Sequence, residues 1–252
     1  MLCNHLFDCT KYCGFTLMIF CAENGVNLML LSALRSQNMT TVLISLAASI
    51  FVIFCTLPIH EFAHAFAAHK LGDDTAKIQG RLTINPLVHI DPMGAIMLAL
   101  FGFGWANPVP INERNFKNRK KGVAITAAAG PISNIIMATI MLIFVNAVIT
   151  FGDISVSNLS KSIFYFFYFA AQINIMLAVF NLLPIPPLDG YRLLSVFLPP
   201  KTYYKVAQYE QYIIIGIMML LVFGVLTIPL QFLSSALLNL LLSLTSLPFR
   251  LF

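Results

Sequence analysis

The sequence has few charged residues. Asp, Glu, Lys and Arg make up 10% of its 252 residues, whereas a soluble globular domain has about 25%. Hydrophobic residues account for 59%, and several apolar runs reach the roughly 20 residues that a helix needs to cross a bilayer. The shortage of charge argues against a soluble or a disordered chain. Because the apolar runs are continuous rather than alternating, an outer-membrane β-barrel is also a poor fit.

The sequence also lacks a disulfide framework and a basic surface for nucleic acid. Of its five cysteines, four lie in the first 21 residues and only Cys55 follows, which is not the pattern of a disulfide-stapled small domain. The formal net charge is +5, but the cations are not interleaved with aromatic residues along one stripe. We therefore expect no nucleic-acid partner and attribute the positive charge to loops that set membrane topology.

Five apolar segments predict membrane helices. They span 41–70, 123–151, 162–183, 209–228 and 231–247. Residues 1–38 differ from the rest, and their weakly apolar run 14–34 is either a poor first transmembrane helix or part of an extension upstream of a start at Met39. We predict an all-α polytopic membrane protein with five to six transmembrane helices. It would consist of an N-terminal extension, 1–38, and one domain, 39–252.

The apolar segment 93–105 is too short to span a bilayer. It has thirteen residues, three of them glycine, and irregular backbone at membrane depth is tolerated only where protein or a watery cavity covers it. The cations favour the same interpretation, since a segment that enters and returns leaves twelve of the fifteen Lys and Arg residues on one side. We predict a re-entrant, partly extended element here and assign the cation-rich side to the cytoplasm.

His60, Glu61 and His64 form an H-E-x-x-H motif inside the segment 41–70. Residues i and i+4 of a helix share one face, so the two imidazoles can hold one Zn²⁺, and the glutamate between them is placed to take a proton from water. Ionisable groups inside a membrane helix are costly and mark candidate functional sites. The alternative is a helix end that emerges at the interface, because Lys70 follows six residues after His64.

A third metal ligand is needed, because catalytic zinc usually takes three protein ligands and keeps a fourth position open. Asp189 ends the proline-rich stretch NLLPIPPLD, which interrupts a predicted membrane helix. Backbone freed by such a break must face something polar, and an aspartate at the point where a helix resumes can point inward. A metal ligand is the favoured role for Asp189, and a helix N-cap is the alternative.

The two motifs together resemble those of the site-2 protease family of intramembrane zinc metalloproteases. HEFAH on one membrane helix precedes NLLPIPPLDG on a later one, and QGRLTINPLVHIDPMG, GFGWANPVPIN and AGPISN match as well. The resemblance covers roughly 41–200 and is to the compact type without a PDZ domain. It implies a zinc endopeptidase that cleaves within or near transmembrane segments, with zinc on His60, His64 and Asp189 and with Glu61 as the catalytic base.

The same resemblance implies further partners. Asn134, in the G-x-x-x-N pattern, and Asn181, at the start of NLLPIPPLDG, are expected to bind the substrate backbone, although asparagines also serve in packing between membrane helices. The expected substrate is a single-pass membrane protein or a signal-peptide remnant. We also expect contact with the lipid bilayer and a multi-pass location in the cell membrane, with the site opening toward the cytoplasm.

Two other functions stay open at the level of sequence. A divalent-metal transporter could use the same three ligands as a transit site, but transporters favour repeated halves, and no repeat is visible in the sequence. A homologue without activity would only bind membrane partners. The intact HExxH and LDG motifs weigh against it, because loss of the base is the simplest route to inactivity.

Overall fold

The computed structural model describes residues 39–91, 107–152 and 157–251. These residues form the helices α1 (Met39–Phe51), α2 (Leu57–Lys70), α3 (Thr75–Ile78), α4 (Pro86–His89), α5 (Arg119–Phe151), α6 (Asn158–Asn181), α7 (Asp189–Ser195), α8 (Pro200–Ala207), α9 (Glu210–Val222) and α10 (Thr227–Ser246). No strand occurs within the three described ranges.

Four helical stretches are long and apolar enough to cross a bilayer. They are Met39–Lys70, Arg119–Phe151, Asn158–Asn181 and Thr227–Phe249. The prediction of an all-α polytopic membrane protein is therefore confirmed. The predicted helix over 209–228 is divided, because α9 ends at Val222 and Gly224 has a φ of +74° before α10 begins. The run 14–34 and the re-entrant segment 93–105 lie outside the described residues.

The long helix α5 is the centre of the bundle and packs against α2, α6, α7 and α10. Its residues Ala138 and Leu142 are fully buried in a core with Ala170, Ala171 and Ile175 of α6. Small side chains such as these alanines let membrane helices approach closely. A polar contact also joins α5 to α10, where the amide of Asn146 donates to the Thr245 hydroxyl at 3.0 Å.

A π-helical turn, Val52–Thr56, joins α1 to α2 within the continuous helix Met39–Lys70. The Thr56 hydroxyl donates to the Val52 carbonyl at 3.0 Å inside this turn. Pro58 follows in the first turn of α2, and its missing N–H group interrupts the regular hydrogen-bond ladder there. Such π turns are frequent at functional sites, and this one directly precedes the HExxH motif.

The short helix α4 lies beside the middle of the helix Met39–Lys70, although its sequence context is polar. It packs against α2 and against the π-helical turn. At 1.5 Å per residue, this turn is about 20 Å from the end of α2. The His89 ring at its end is buried and pairs with the Thr83 carbonyl at 2.8 Å. The His89 carbonyl in turn accepts the Asn107 N–H at 2.6 Å. These contacts fit a structural role for His89.

Asp73 fixes the returning chain to the end of α2. Its buried carboxylate accepts the Asn112 N–H at 2.7 Å and the Asn115 amide at 2.8 Å. Burial alone would raise the pKa of Asp73, but the hydrogen bonds from Thr75 and from these two asparagines outweigh it and lower the pKa. This anchor lies next to a small core in which Val109 packs against Ala65, one residue beyond the HExxH motif.

Candidate metal centre

The two histidines of the HExxH motif lie side by side on α2. His60 and His64 are one helical turn apart, and both are almost completely buried. Their rings meet edge to face with centroids 4.7 Å apart, and their Nε2 atoms are 3.1 Å apart. Lys70 does end this helix, but the motif lies inside the bundle rather than at an exposed helix end.

Asp189 meets these histidines from the other side of the bundle. The chain leaves α6 at Asn181, turns through the prolines and resumes as α7, of which Asp189 is the first residue. Asp189 Oδ2 lies 3.5 Å from His60 Nε2 and 3.2 Å from His64 Nε2. The turn needs a glycine at position 190, because a Cβ atom there would overlap the backbone of Leu182 and Leu183.

These three side chains fit a zinc ion. The donor atoms are separated by 3.1, 3.2 and 3.5 Å, and ligand atoms about 2.0–2.1 Å from a tetrahedral zinc lie roughly 3.3 Å apart. Two imidazoles and one carboxylate are a recurrent catalytic zinc set that leaves one position open. They are also the only group of three or more such ligands found among the described residues.

The carbonyl of Thr126 on α5 orients one of the histidines. His64 Nδ1 lies 2.7 Å from this oxygen and donates to it when that nitrogen carries the proton. A hydrogen bond of this kind fixes the tautomer and leaves Nε2 free for a metal. Sequence reasoning missed this partner, because any residue type supplies a backbone carbonyl and no side-chain pattern marks it.

Gly130 allows α5 to approach both histidines. A Cβ atom at this position would overlap the imidazoles of His60 and His64. The glycine of the G-x-x-x-N pattern is therefore required because a larger side chain would not fit between α5 and these two histidines. The sequence drew attention to this pattern only through its asparagine.

Replacing Gly130 with alanine should disrupt the metal centre. The added methyl must displace two buried rings, so we expect zinc content to fall well below that of the unmodified protein, as measured by atomic absorption. Gly216→Ala is a matched control, because Gly216 lies on the shorter apolar helix α9 with nothing within 4 Å of an added Cβ. It should keep full zinc. Normal zinc in Gly130→Ala would show that α5 can shift away without loss of the site.

Glu61 lies next to His60 and is fully buried. Neither of its carboxylate oxygens has a hydrogen-bond partner within the described part of the chain. A carboxylate without partners in a dry interior is unfavourable unless water or another polar group reaches it. The placement therefore suits a group that acts on a bound water or substrate.

Three buried asparagines lie on the helices α5 and α6. Asn134 lies one turn beyond Gly130, and Asn181 ends α6. Both have at least one amide atom without a partner among the described residues. Asn174, two turns before Asn181, is also fully buried and donates to the Ala170 carbonyl at 2.8 Å, while its Oδ1 is unpaired within the same ranges. The seven-residue spacing from Asn181 is the sequence signal that could have identified Asn174.

Comparison with known proteins identifies the family. The family model described as "Peptidase family M50" matches residues 48–225. This range includes His60, His64 and Asp189. The chain belongs to peptidase family M50. The resemblance to site-2 proteases is thereby confirmed, no PDZ domain lies within the described residues, and this M50 peptidase is a zinc metalloendopeptidase.

Relatives of this M50 peptidase carry corresponding names. It is 42% identical to "Putative zinc metalloprotease YwhC" of Bacillus subtilis over 65% of this chain and 74% of the relative. It is 31% identical to "Putative zinc metalloprotease Rip2" of Mycolicibacterium smegmatis over 66% of this chain and 63% of the relative. It is 26% identical to "Zinc metalloprotease MJ0392" of Methanocaldococcus jannaschii over 62% and 35%, respectively. No solved structure matches this chain.

Proposed function

We propose that this chain is an intramembrane endopeptidase that hydrolyses peptide bonds within or near the transmembrane segments of membrane proteins. One observation carries the proposal, namely the depth of the metal group. His60 lies on an apolar helix that is long enough to span a bilayer, about 15 Å before its end at Lys70. A peptidase with its metal ligands at this depth is suited to a substrate held in the membrane. Residues 39–252 would form the peptidase domain, with 1–38 as an extension.

The proposed roles follow from the chemistry of the side chains. His60, His64 and Asp189 hold the zinc ion. When bound, zinc supplies a Lewis acid that polarises the scissile carbonyl and makes water more acidic. Glu61 accepts the proton of the attacking water and delivers it to the departing amide nitrogen. The buried position of Glu61 keeps this proton transfer away from bulk solvent.

Asn134 and Asn181 are proposed to bind the substrate backbone. A helical substrate must unwind before cleavage, and each freed amide in lipid costs several kcal/mol if it stays unpaired. The amide atoms of these asparagines that have no partner among the described residues can take up such groups. The cost of exposing a peptide bond would thus be offset beside the metal ligands.

Asn134→Ala and Asn181→Ala are each expected to lower kcat/KM by about tenfold, since one hydrogen bond contributes roughly 1–1.5 kcal/mol. Zinc content and thermal unfolding should be unchanged. Asn146→Ala is the matched control, because its amide already pairs with Thr245; this variant should lose stability and keep its kinetics. If Asn134→Ala and Asn181→Ala lower stability without changing kcat/KM, both residues serve in helix packing.

The site is proposed to open toward the cytoplasm in a multi-pass protein of the cell membrane, on the basis of the cation bias. Single cysteines at Ile78 and Lys117 should react with an impermeant maleimide from the cytoplasmic side, and one at Lys161 from the opposite side. A cysteine at Leu87 should be shielded from the maleimide by the bilayer, because α4 lies beside the middle of a membrane helix. Labelling of positions 78 and 117 from opposite faces would contradict this topology.

The proposed substrates are single-pass membrane proteins or signal-peptide remnants. The test is to incubate the purified enzyme in bilayers with such proteins and to locate the cut by mass spectrometry. We expect cleavage within or near the apolar segment. Cuts confined to soluble regions would contradict the intramembrane assignment. Zinc transport into sealed vesicles with no peptide product would favour the transporter, and capture of uncut partners by the wild type would favour an inactive homologue.

A further inference from the structure

A segment between α7 and α9 lies on the surface of the bundle. We call residues 196–208 the surface arm; it includes α8. Its first residue, Val196, packs against Ala68 near the end of α2 and Val123 near the start of α5. Both helices are candidate membrane spans, so the arm lies at the end of the bundle where one span ends and another begins. This position corresponds to the surface of a bilayer.

The exposed side chains of the surface arm combine one large apolar group with cations. Phe197 is 80% exposed although it directly follows the packed Val196. Lys201 and Lys205 are exposed and lie one helical turn apart, on the same face of α8. The arm contains no acidic residue. An apolar anchor next to lysines on a short surface helix is typical of elements that lie in the interface of a membrane.

We propose that the surface arm binds the anionic phospholipids of the bilayer. Phe197 enters the boundary between headgroups and acyl chains, and Lys201 and Lys205 contact the lipid phosphates. The exposed charge of the arm is complementary to an anionic leaflet, which attracts juxtamembrane lysines. The bilayer is also adjacent by geometry, because the chain continues directly from the arm into the apolar helix α9.

The surface arm is connected to the helix that carries Asp189. The Tyr203 ring stacks on the Tyr191 ring with centroids 5.8 Å apart and an interplanar angle of 10°. The Tyr191 hydroxyl lies 3.5 Å from the Tyr203 carbonyl. Tyr191 is only two residues from Asp189 on α7. A lipid-bound arm therefore holds α7 in place and slows loss of the metal, a consequence that rests on the proposed ligand role of Asp189.

Lipid binding can be measured without any peptidase assay. The full chain is reconstituted in bilayers of phosphatidylcholine with phosphatidylglycerol, extracted, and analysed by native mass spectrometry for retained phosphatidylglycerol. K201Q/K205Q should reduce its affinity roughly 30-fold, because each lysine contributes about 1 kcal/mol near an anionic surface. K117Q/K120Q removes the same charge from the same end of the bundle and should have little effect. Equal losses in both variants, or displacement of the lipid by inorganic phosphate, would overturn the proposal.

The connection to the metal has its own measurement. Zinc loss to a chelator is followed in phosphatidylcholine bilayers with and without phosphatidylglycerol. The anionic lipid should slow zinc loss severalfold in the wild type and in K117Q/K120Q, but not in K201Q/K205Q. Identical rates of zinc loss with and without phosphatidylglycerol in the wild type would overturn the connection through Tyr203. Lipid binding by the arm is tested separately, by the phosphatidylglycerol that the protein retains. Absence of cleavage of every membrane substrate would contradict the proposed function and would leave both of these measurements intact.

Discussion

Glu61→Gln is expected to abolish cleavage while zinc stays bound. Glutamine keeps nearly the same volume and can still form hydrogen bonds, but it cannot accept the proton of the attacking water. General acid–base groups contribute about 10²–10⁴-fold to rate, so kcat should fall by at least two orders of magnitude. Zinc content should be unchanged, because Glu61 is not among the three grouped ligands. Uncut membrane substrate should therefore accumulate on the variant.

The control for this change is Glu113→Gln. Glu113 forms a surface ion pair with Arg119 at 2.8 Å, far along the chain from the HExxH motif. Exposed pairs of this kind contribute little to stability, so the control should cleave at the wild-type rate. If Glu61→Gln cleaves a verified substrate as fast as Glu113→Gln does, the proposed role of Glu61 as base is wrong, even with zinc in place.

Asp189→Ala should remove both zinc and activity. The substitution leaves two imidazoles from one helix and no carboxylate, so the metal loses its one ligand from α7. Changes to groups that only support a ligand typically cost about 10–100-fold in metal affinity, and loss of the ligand itself should exceed that range. Zinc per chain, measured by atomic absorption after dialysis, should approach zero.

Asp74→Ala provides the comparison for Asp189→Ala. Asp74 is exposed and pairs with His69 at 2.5 Å near the end of α2. It is not a member of the group formed by His60, His64 and Asp189, and its loss should leave zinc content and cleavage as in the wild type. Full zinc retention in Asp189→Ala would remove that residue from the ligand set, and the third ligand would have to be sought elsewhere.

The metal ligands were predictable because each rests on a local rule. His60 and His64 follow from helical periodicity, and the structure places them together on α2. Asp189 follows from prolines that must interrupt a membrane helix, and it meets the histidines as predicted. Their roles as zinc ligands stay a prediction that the variants above test.

Other features depend on the approach of distant segments and carry no local signal. The sequence predicts a polar connection after α2 but not that α4 packs beside the middle of that helix. The close approach at Gly130 is visible only once α5 lies on α2. The predicted start of the last membrane helix at residue 231 was wrong. Proline is tolerated in the first turn of a helix, and α10 begins at Thr227, two residues before Pro229.

The π-helical turn sets the rotational phase of the helix that carries the motif. A wider turn accommodates about one extra residue, which rotates everything beyond it by roughly 100° relative to an uninterrupted α-helix. A helical wheel drawn through 41–70 as one α-helix therefore misplaces Ala48 relative to His60. The face of α1 that packs into the core and the face of α2 that carries the metal ligands are thus set independently. Each can be matched to its own neighbours in the bundle without a break in the membrane-spanning helix.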